Sequence, residues 1–457
     1  MSGVSRSFNT IETPLSGRAE LGKRLRVSLP RSEHAIYRPS ATRLDPIALL
    51  RRSNRGRATH LVSIRYGRMA RSPFEFMRGS AIIMAHDLAS TPTTGLTVQL
   101  CGDAHIGNFG GYATAERSLV FDLNDFDETL AGPWEWDLKR LAASVTVLGR
   151  ENGLKAAARR AAVCAAAQAY RKRMRELSEK PYLDIWFTPT RAEAAVDAYG
   201  DDAGPLEHAL DSGLNRTNRA TLPKFTDGRN GRSGFKFKDD PPNITRRADR
   251  LRRELQEVLG AYRRSLTIDR RLFFDRYTIT DVARKVVGVG SVGLGSYAVL
   301  LQGAGSDDPL FLQLKEAPPS VLEEHLTKSP FPHNGQRVVA GQRIMQAASD
   351  PLLGWTRLGG RDFYVRQLRD MKATIPVEQF DADELAKYAA LCAGVLARAH
   401  ACSGDAAQIA GYLGRGEHFD GALSKFAESY ADQVEDDHQA LLTAIEKGRV
   451  RATFEDD

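Results

Sequence analysis

Four glycines fall within the eight residues GVGSVGLG, Gly288 to Gly295, in a stretch that alternates with period two. No other segment restricts the fold as strongly. Four glycines in two turns would undo a helix, whereas a hairpin uses glycine wherever φ must be positive. A dinucleotide-binding glycine fingerprint has to open a helix. Here Gly288, Gly290, Ser291 and Gly293 lead instead into YAVLL, whose composition is that of a strand. The GAGSDDP turn then predicts a second strand over Leu310 to Leu314, followed at once by Lys315. Such a loop lets backbone N–H groups approach an anion, and a lysine on the neighbouring strand can bridge to it. Phe311, Leu312 and Leu314 around Lys315 argue against a surface lysine.

A second segment carries complementary chemistry far upstream. CGDAHIGNFGG, residues 101–111, follows the alternating Leu96, Val98 and Leu100, so it reads as a loop leaving a strand. VFDLNDFDE, residues 120–128, reads as the next strand. Asp103, Asn108 and Asp122 can then converge on one small volume. Magnesium prefers such oxygen donors and shares them with substrate phosphates. Phosphoryl transfer needs the same parts: a residue to position or deprotonate the acceptor hydroxyl, an Asn and an Asp for metal, and positive charge on the phosphates. Asp103 takes the first role; Asn108 and Asp122 take the second, with Asp125 assisting at a second metal and Asp127 competing for the same place. Glu323 is the candidate to hold Lys315, with Glu316 and Glu324 left open. His105 reads as a structural hydrogen-bonder of the loop. Cys101 reads as a packed residue, because no activating neighbour is identifiable.

Elsewhere the spacing is mostly helical. Phe76, Met77, Ile83, Met84 and Leu88 share a helical face; PWEWDLKRLAASVTVLGR starts a helix with Pro133 in its first turn; an Ala-rich helix runs from about Lys155 to Glu179. Residues 181–245 read as a long irregular connection. The chain therefore divides into an N-terminal arm (1–45), a helical catalytic part (46–270), a β-rich clamp (271–372) and C-terminal helices (373–457). A length of 457 residues allows two to four domains of core. The four cysteines are too few for a disulfide scaffold and form no C-x-x-C pair of the kind structural zinc needs, which points to a reducing, cytoplasmic setting. No run of about 18 apolar residues occurs, so no membrane span is expected.

The net charge of +7 favours anionic partners. It is concentrated in RRSNRGR (51–57) and in TRRADRLRRELQEVLGAYRR (245–264). The second is helical, with Leu251, Leu255, Val258, Leu259 and Tyr262 on its apolar face and the arginines in solvent. Thin aromatic interleaving argues against a nucleic-acid groove there. The ten histidines show no H-x-H spacing, which weighs against a metal-dependent phosphoesterase.

CGDAHIGN resembles the H-G-D-x-H-x-x-N loop of aminoglycoside and choline phosphotransferases, with Cys101 in the usual histidine position. VFDLNDFD resembles the strand bearing their second metal-binding aspartate. GPWEWDLKRLA resembles their D-P-x-x-D-L-A helix start, which implies that Asp137 is a buried anchor of the loop. Over roughly residues 45–450 the chain is similar to an uncharacterised bacterial family, catalogued as domain of unknown function 2252 and grouped with the kinase-like fold. The carrying motifs are FEFMRGSAIIMAHDLA, CGDAHIGNFGGYA, KVVGVGSVG, LQLKEAPPSVLE and FYVRQLRDMK.

The resemblance implies an α+β, protein-kinase-like, two-lobe fold with ATP and Mg²⁺ as cofactors. Ordinary kinases place the glycine loop and its lysine before the catalytic loop. Here Asp103 precedes Gly293, so the lobe order is circularly permuted, with the helical lobe's motifs first. The adenine is expected near Arg366, Gln367, Leu368 and Arg369, on the strand that leads to the lobe hinge. The function implied is phosphotransfer from ATP to a hydroxyl acceptor, a small molecule being favoured. AMP transfer and nucleotide binding without turnover are the alternatives.

Overall fold

The computed structural model describes residues 14–199, 204–227, 235–246, 248–286, 288–305, 308–368 and 371–455. Helices take 54% of the residues and strands 15%, so the mixed α+β fold is helical in bulk. Its centre is the helix Trp134–Glu151, buried from Trp134 through Gly149. A helix buried on every side has to satisfy its own charges internally. Glu135 accepts from the N–H and hydroxyl of Thr94, both at 2.7 Å, and Lys139 donates to the Thr91 hydroxyl at 2.9 Å. The helices Ala156–Ser178, Ala382–Ala401 and His418–Glu446 pack around it. Asp381 and Glu384 form a reciprocal capping box at the start of the second of these.

The expected N-terminal arm is folded in its described part. Helix Leu15–Ser28 lies so close to helix Ala406–Leu413 that a Cβ on Gly22 would come within 1.9 Å of the Gln408 carbonyl oxygen. The expected irregular connection is corrected in its described parts to short helices: Tyr182–Phe187, Ala192–Tyr199, Gly204–Leu214 and Asn218–Phe225. Elements this short present too few turns for a periodic signal.

Two short ribbons carry the upstream motifs. β1 (Thr97–Leu100) pairs with β4 (Leu130–Pro133), and β2 (Phe109–Ala113) pairs with β3 (Leu119–Leu123). A further small ribbon joins β5 (Thr226–Asp227) to β6 (Lys236–Phe237). The remaining strands are β7 (Ile244–Thr245), β8 (Thr278–Lys285), β9 (Ser296–Gln302), β10 (Pro309–Glu316), β11 (Gly354–Leu358) and β12 (Arg361–Gln367). They form one six-stranded antiparallel sheet in the order β11-β12-β10-β9-β8-β7. The glycine-rich segment is the β8–β9 connection, and Lys315 lies on β10.

Strand alternation assigns the faces. Val299, Leu301, Leu312, Leu314 and Val365 pack against Leu251, Val258, Leu259 and Tyr262 of helix Asp249–Ser265. That helix was placed with the helical part on sequence grounds; its apolar stripe instead covers the sheet, so the β-rich unit reaches back past residue 270. Phe311 and Lys315 face the other way, toward the helical mass. Two arginines of this helix are held by carboxylates from the sheet side of the fold: Arg252 by Asp281 at 2.8 Å and Arg263 by Asp275 at 2.5 Å. Among the described residues no helix is long and apolar enough to cross a membrane.

Candidate functional site

Asp137 fixes the upstream loop. Its carboxylate accepts from the N–H of Cys101 at 2.6 Å and of Gly102 at 2.9 Å, with His400 Nε2 at 3.3 Å. Gly102 is doubly constrained: its φ is +83°, and a Cβ there would meet the Glu128 carbonyl oxygen at 2.3 Å. The loop therefore lies directly against the segment that carries the downstream aspartates. Asn108 Nδ2 donates to the Asp103 carbonyl at 2.6 Å, which closes the turn and leaves the Asn108 amide oxygen to the site.

Asp103 pairs with the guanidinium of Arg140, which also donates to the Met77 carbonyl at 2.8 Å. Burial pushes the Asp103 carboxyl up to about 6 against the pull of Arg140. Asp103, Asn108, Asp125 and Asp127 all line one cavity of about 920 Å³. Gly288, Gly290 and Ser291 form its opposite wall.

Lys315 is only 2% exposed on the central strand β10. Its Nζ lies 3.3 Å from Asp125 Oδ2 and closer still to Asp127 Oδ2. Asp127 also accepts from the Tyr364 hydroxyl at 2.9 Å. Burial opposes the charge of Asp125, yet Lys315 and Arg366 hold its carboxyl down at about 2. Burial likewise opposes the ammonium, but Asp125 and Asp127 hold Lys315 well above the usual lysine range.

Three expectations are corrected. Asp122 does not line the cavity: it sits inside β3, where its Oδ1 accepts from the Leu123 N–H at 2.8 Å and its Oδ2 from the Ala347 N–H at 3.2 Å. Burial pushes its carboxyl up to about 6. The aspartates that reach the cavity lie beyond the strand end, where the chain is free to turn. Glu323 lines the cavity but does not hold Lys315, whose counter-charges are Asp125 and Asp127. The helix Asn334–Met345 that follows offers no glutamate, and its buried Arg337 donates to the carbonyls of Asp127 and Thr129. His105 is packed edge-on against Phe74, and its Nδ1 finds no hydrogen-bond partner among the described residues.

The remaining candidates of the glycine loop and of β12 divide. Gly288 has φ +63° and its carbonyl accepts from Arg68 at 2.6 Å. Gly293 has φ +89° and turns to the outer side of the loop. Gln367 lines a separate cavity of about 80 Å³ with Arg366 and Asn124, but its N–H and side-chain amide are both taken by Asp350, at 2.6 and 3.0 Å. Arg369 lies outside the described residues.

Sequence reasoning missed the cationic rim. Arg52, Arg55, Arg57 and Arg78 line the large cavity beside Lys328. Arg57 donates to the Val292 carbonyl at 2.6 Å and Arg52 pairs with Glu324. The RRSNRGR run was visible as charge; what it faces depends on the glycine loop folding back onto it. Ala58 N–H donates to the Gly293 carbonyl at 2.8 Å, and Leu61 and Ile64 pack against Val286 and Val292.

The donors at the cavity floor are carboxylate and amide oxygens, which suit a hard cation such as magnesium. The arginine rim suits phosphate oxygens. Among the described residues no three His, Cys, Asp or Glu side chains already stand together as a metal site.

No curated protein and no solved structure matches the chain. A family model described as an uncharacterized protein conserved in bacteria (DUF2252) matches residues 57–444. The matched span takes in both walls of the cavity, from Arg57 through Asp103 and Asp127 to Gly288–Ser291, together with Lys315 behind them, and the chain belongs to this DUF2252 family.

Proposed function

We propose that this chain is an ATP-dependent phosphotransferase of kinase-like fold with permuted lobe order, acting on a hydroxyl acceptor. The observation that carries the reading is the meeting of Lys315 with Asp125, across 190 residues of sequence, and with its neighbour Asp127. In protein kinases a glycine-rich loop covers the phosphates, a lysine on the third strand contacts them, and an Asp and an Asn hold magnesium. The meander β8-β9-β10 has its glycine loop in the first connection and its lysine on the third strand. Its departure from that pattern is the lysine's partner, a pair of aspartates in place of a helix glutamate.

When bound, Mg²⁺-ATP would supply the phosphoryl group and neutralise the charge that develops on it. The chain's own residues divide the remaining work. Asp125, Asp127 and the Asn108 amide oxygen would hold the cation. Lys315 and the N–H groups of Gly288–Ser291 would hold phosphate oxygens. Asp103 would accept the proton of the acceptor hydroxyl, and a carboxyl raised to about 6 is well placed for that near neutral pH. Arg140 fixes its direction. In-line transfer asks a protein mainly for such positioning and charge stabilisation.

Calorimetric titration of Mg²⁺-ATP tests the reading, with Lys315→Met, Asp125→Asn and Asp122→Asn run beside the wild type. Saturable binding that weakens in the first two variants and persists in the third is expected. No binding to the wild type would overturn it. Release or transfer of a γ-label without the α-label separates phosphoryl transfer from AMP transfer.

A further inference from the structure

The sheet carries a second polar pocket on the face opposite Lys315. Register sets Arg284 across from Tyr297, Tyr297 across from Leu314, and Glu316 across from Phe363. Because strand side chains alternate, Arg284, Tyr297, Glu316, Arg361 and Phe363 share the face covered by helix Asp249–Ser265. There a cavity of about 260 Å³ opens, with Gly293 and Gly295 of the glycine loop as one wall.

Its lining holds four guanidinium groups, those of Arg57, Arg250, Arg284 and Arg361, against the single carboxylate of Glu316. Arg361 pairs with Glu316 at 3.0 Å, and Arg250 with Glu254 at 3.2 Å beyond the rim. Arg57 spends its hydrogen bonds on the main-chain carbonyls of Ser53 and Val292. The Arg284 side chain makes no hydrogen bond or ion pair among the described residues. The Arg284 charge thus faces this pocket without a carboxylate of its own, whereas Arg57 lies in the field of Glu128, Asp127 and Glu316. Drug-sized ligands occupy about 300–1,000 Å³, so a volume below that range selects a small anion. Planar guanidinium forks match the oxygens of phosphate better than a point charge does.

We propose that this pocket is a binding site for a phosphoryl group, borne by inorganic phosphate or by a small phosphate monoester, and held by Arg250, Arg284 and Arg361. The site lies on the other face of the sheet from Lys315, and Arg57 beside the glycine loop lines both it and the cavity at Asp103. It is joined to the glycine loop through Glu316, whose Oε2 accepts from the Gly295 N–H at 2.7 Å while Arg361 holds the same carboxylate. An oxyanion at Arg361 competes for that guanidinium, so occupancy is felt at Gly295 and at Lys315 one residue along.

The test is calorimetric titration of inorganic phosphate, and separately of ribose 5-phosphate, into the full chain at low ionic strength. Arg284→Ala should weaken binding about tenfold, the loss of one charge-assisted contact, and Arg284→Glu should abolish it. Equal affinity for both probes identifies inorganic phosphate as sufficient; tighter binding of ribose 5-phosphate identifies an ester. Arg284 has no native partner to lose, and a thermal melt checks that its variants stay folded, with Arg250→Ala as the substitute on the helix surface. Absence of saturable binding to the wild type overturns the proposal. So does binding that survives both Arg284 variants.

Discussion

Lys315 and Asp125 are 190 residues apart in sequence and 3.3 Å apart in the fold. One comes from the middle of a sheet, the other from the turn after β3, and each accounts for the other's survival. An ammonium group this buried is tolerated only beside carboxylates, and two neighbouring carboxylates are tolerated only beside a cation.

Lys315→Met therefore tests the junction between sheet and helical mass. It leaves Asp125 and Asp127 facing one another with their nearest counter-charge gone and only Arg366 and Lys372 still acting on Asp125. Breaking a fully buried pair costs about 3–5 kcal/mol. Partial exposure of both aspartates, 34% and 21%, lowers the expected loss to about 2 kcal/mol. The acid side carries a second signature. Asp125 is held at about 2 in the folded chain, below its unfolded value near 4. Its stabilising share is present above pH 4 and disappears as pH falls through 2. Urea unfolding at pH 7, 4 and 2.5 should show that acid loss in the wild type and a flatter profile in the variant.

Gly102→Ala should be far more damaging than Gly153→Ala, although both residues have positive φ, +83° and +73°. At Gly153 nothing lies within 4 Å of the added Cβ, so only the backbone preference is lost, about 1 kcal/mol. At Gly102 the same cost is joined by a clash with the Glu128 carbonyl. Equal denaturation midpoints for the two variants would contradict the close approach of these two loops.

Asp137→Ala should loosen the loop that holds Asp103. It strands the N–H groups of Cys101 and Gly102, and unsatisfied buried donors cost about 1–3 kcal/mol each. Hydrogen exchange at residues 101–103 should rise by more than the change in global stability explains. Exchange that rises uniformly across the chain would instead mark Asp137 as an ordinary core residue.

Much of this geometry was legible from local pattern. The strands on either side of GAGSDDP follow from alternation and turn composition, and appear as Ser296–Gln302 and Pro309–Glu316. The helix after Pro133 and the apolar stripe of residues 249–265 follow from spacing. What could not be read was direction. Asp122, Asp125 and Asp127 are equally acidic in sequence, and only the end of β3 at Leu123 decides which of them leave the strand. The partner of Lys315 was misread for a related reason. Glu323 is near in sequence, whereas Asp125 and Asp127 arrive through tertiary packing that no local signal encodes. The arginine rim was seen as charge without an address, because its position depends on Ala58 and Leu61 docking under the glycine loop.

The pH dependence of Asp103 separates chemistry from stability. Its folded value of about 6 exceeds the unfolded value near 4, so between these limits the folded chain binds more protons than the unfolded one. Stability from this group is therefore greatest below pH 4 and declines as pH rises to 6. Asp122, also raised to about 6 by burial, adds a decline over the same window. Asp103→Asn and Asp122→Asn should each flatten part of that slope in urea unfolding. Their effects on turnover should differ. On the phosphotransferase reading, with water taking the acceptor's place, slow ATP hydrolysis should rise with pH through about 6 in the wild type and in Asp122→Asn, because in that reading only ionised Asp103 would accept the proton. In Asp103→Asn the rate should fall by about 10²–10⁴ and lose this limb. An unchanged limb in Asp103→Asn would assign the base elsewhere in the cavity, with Glu128, raised by burial and lining the same wall, as the next carboxylate to replace.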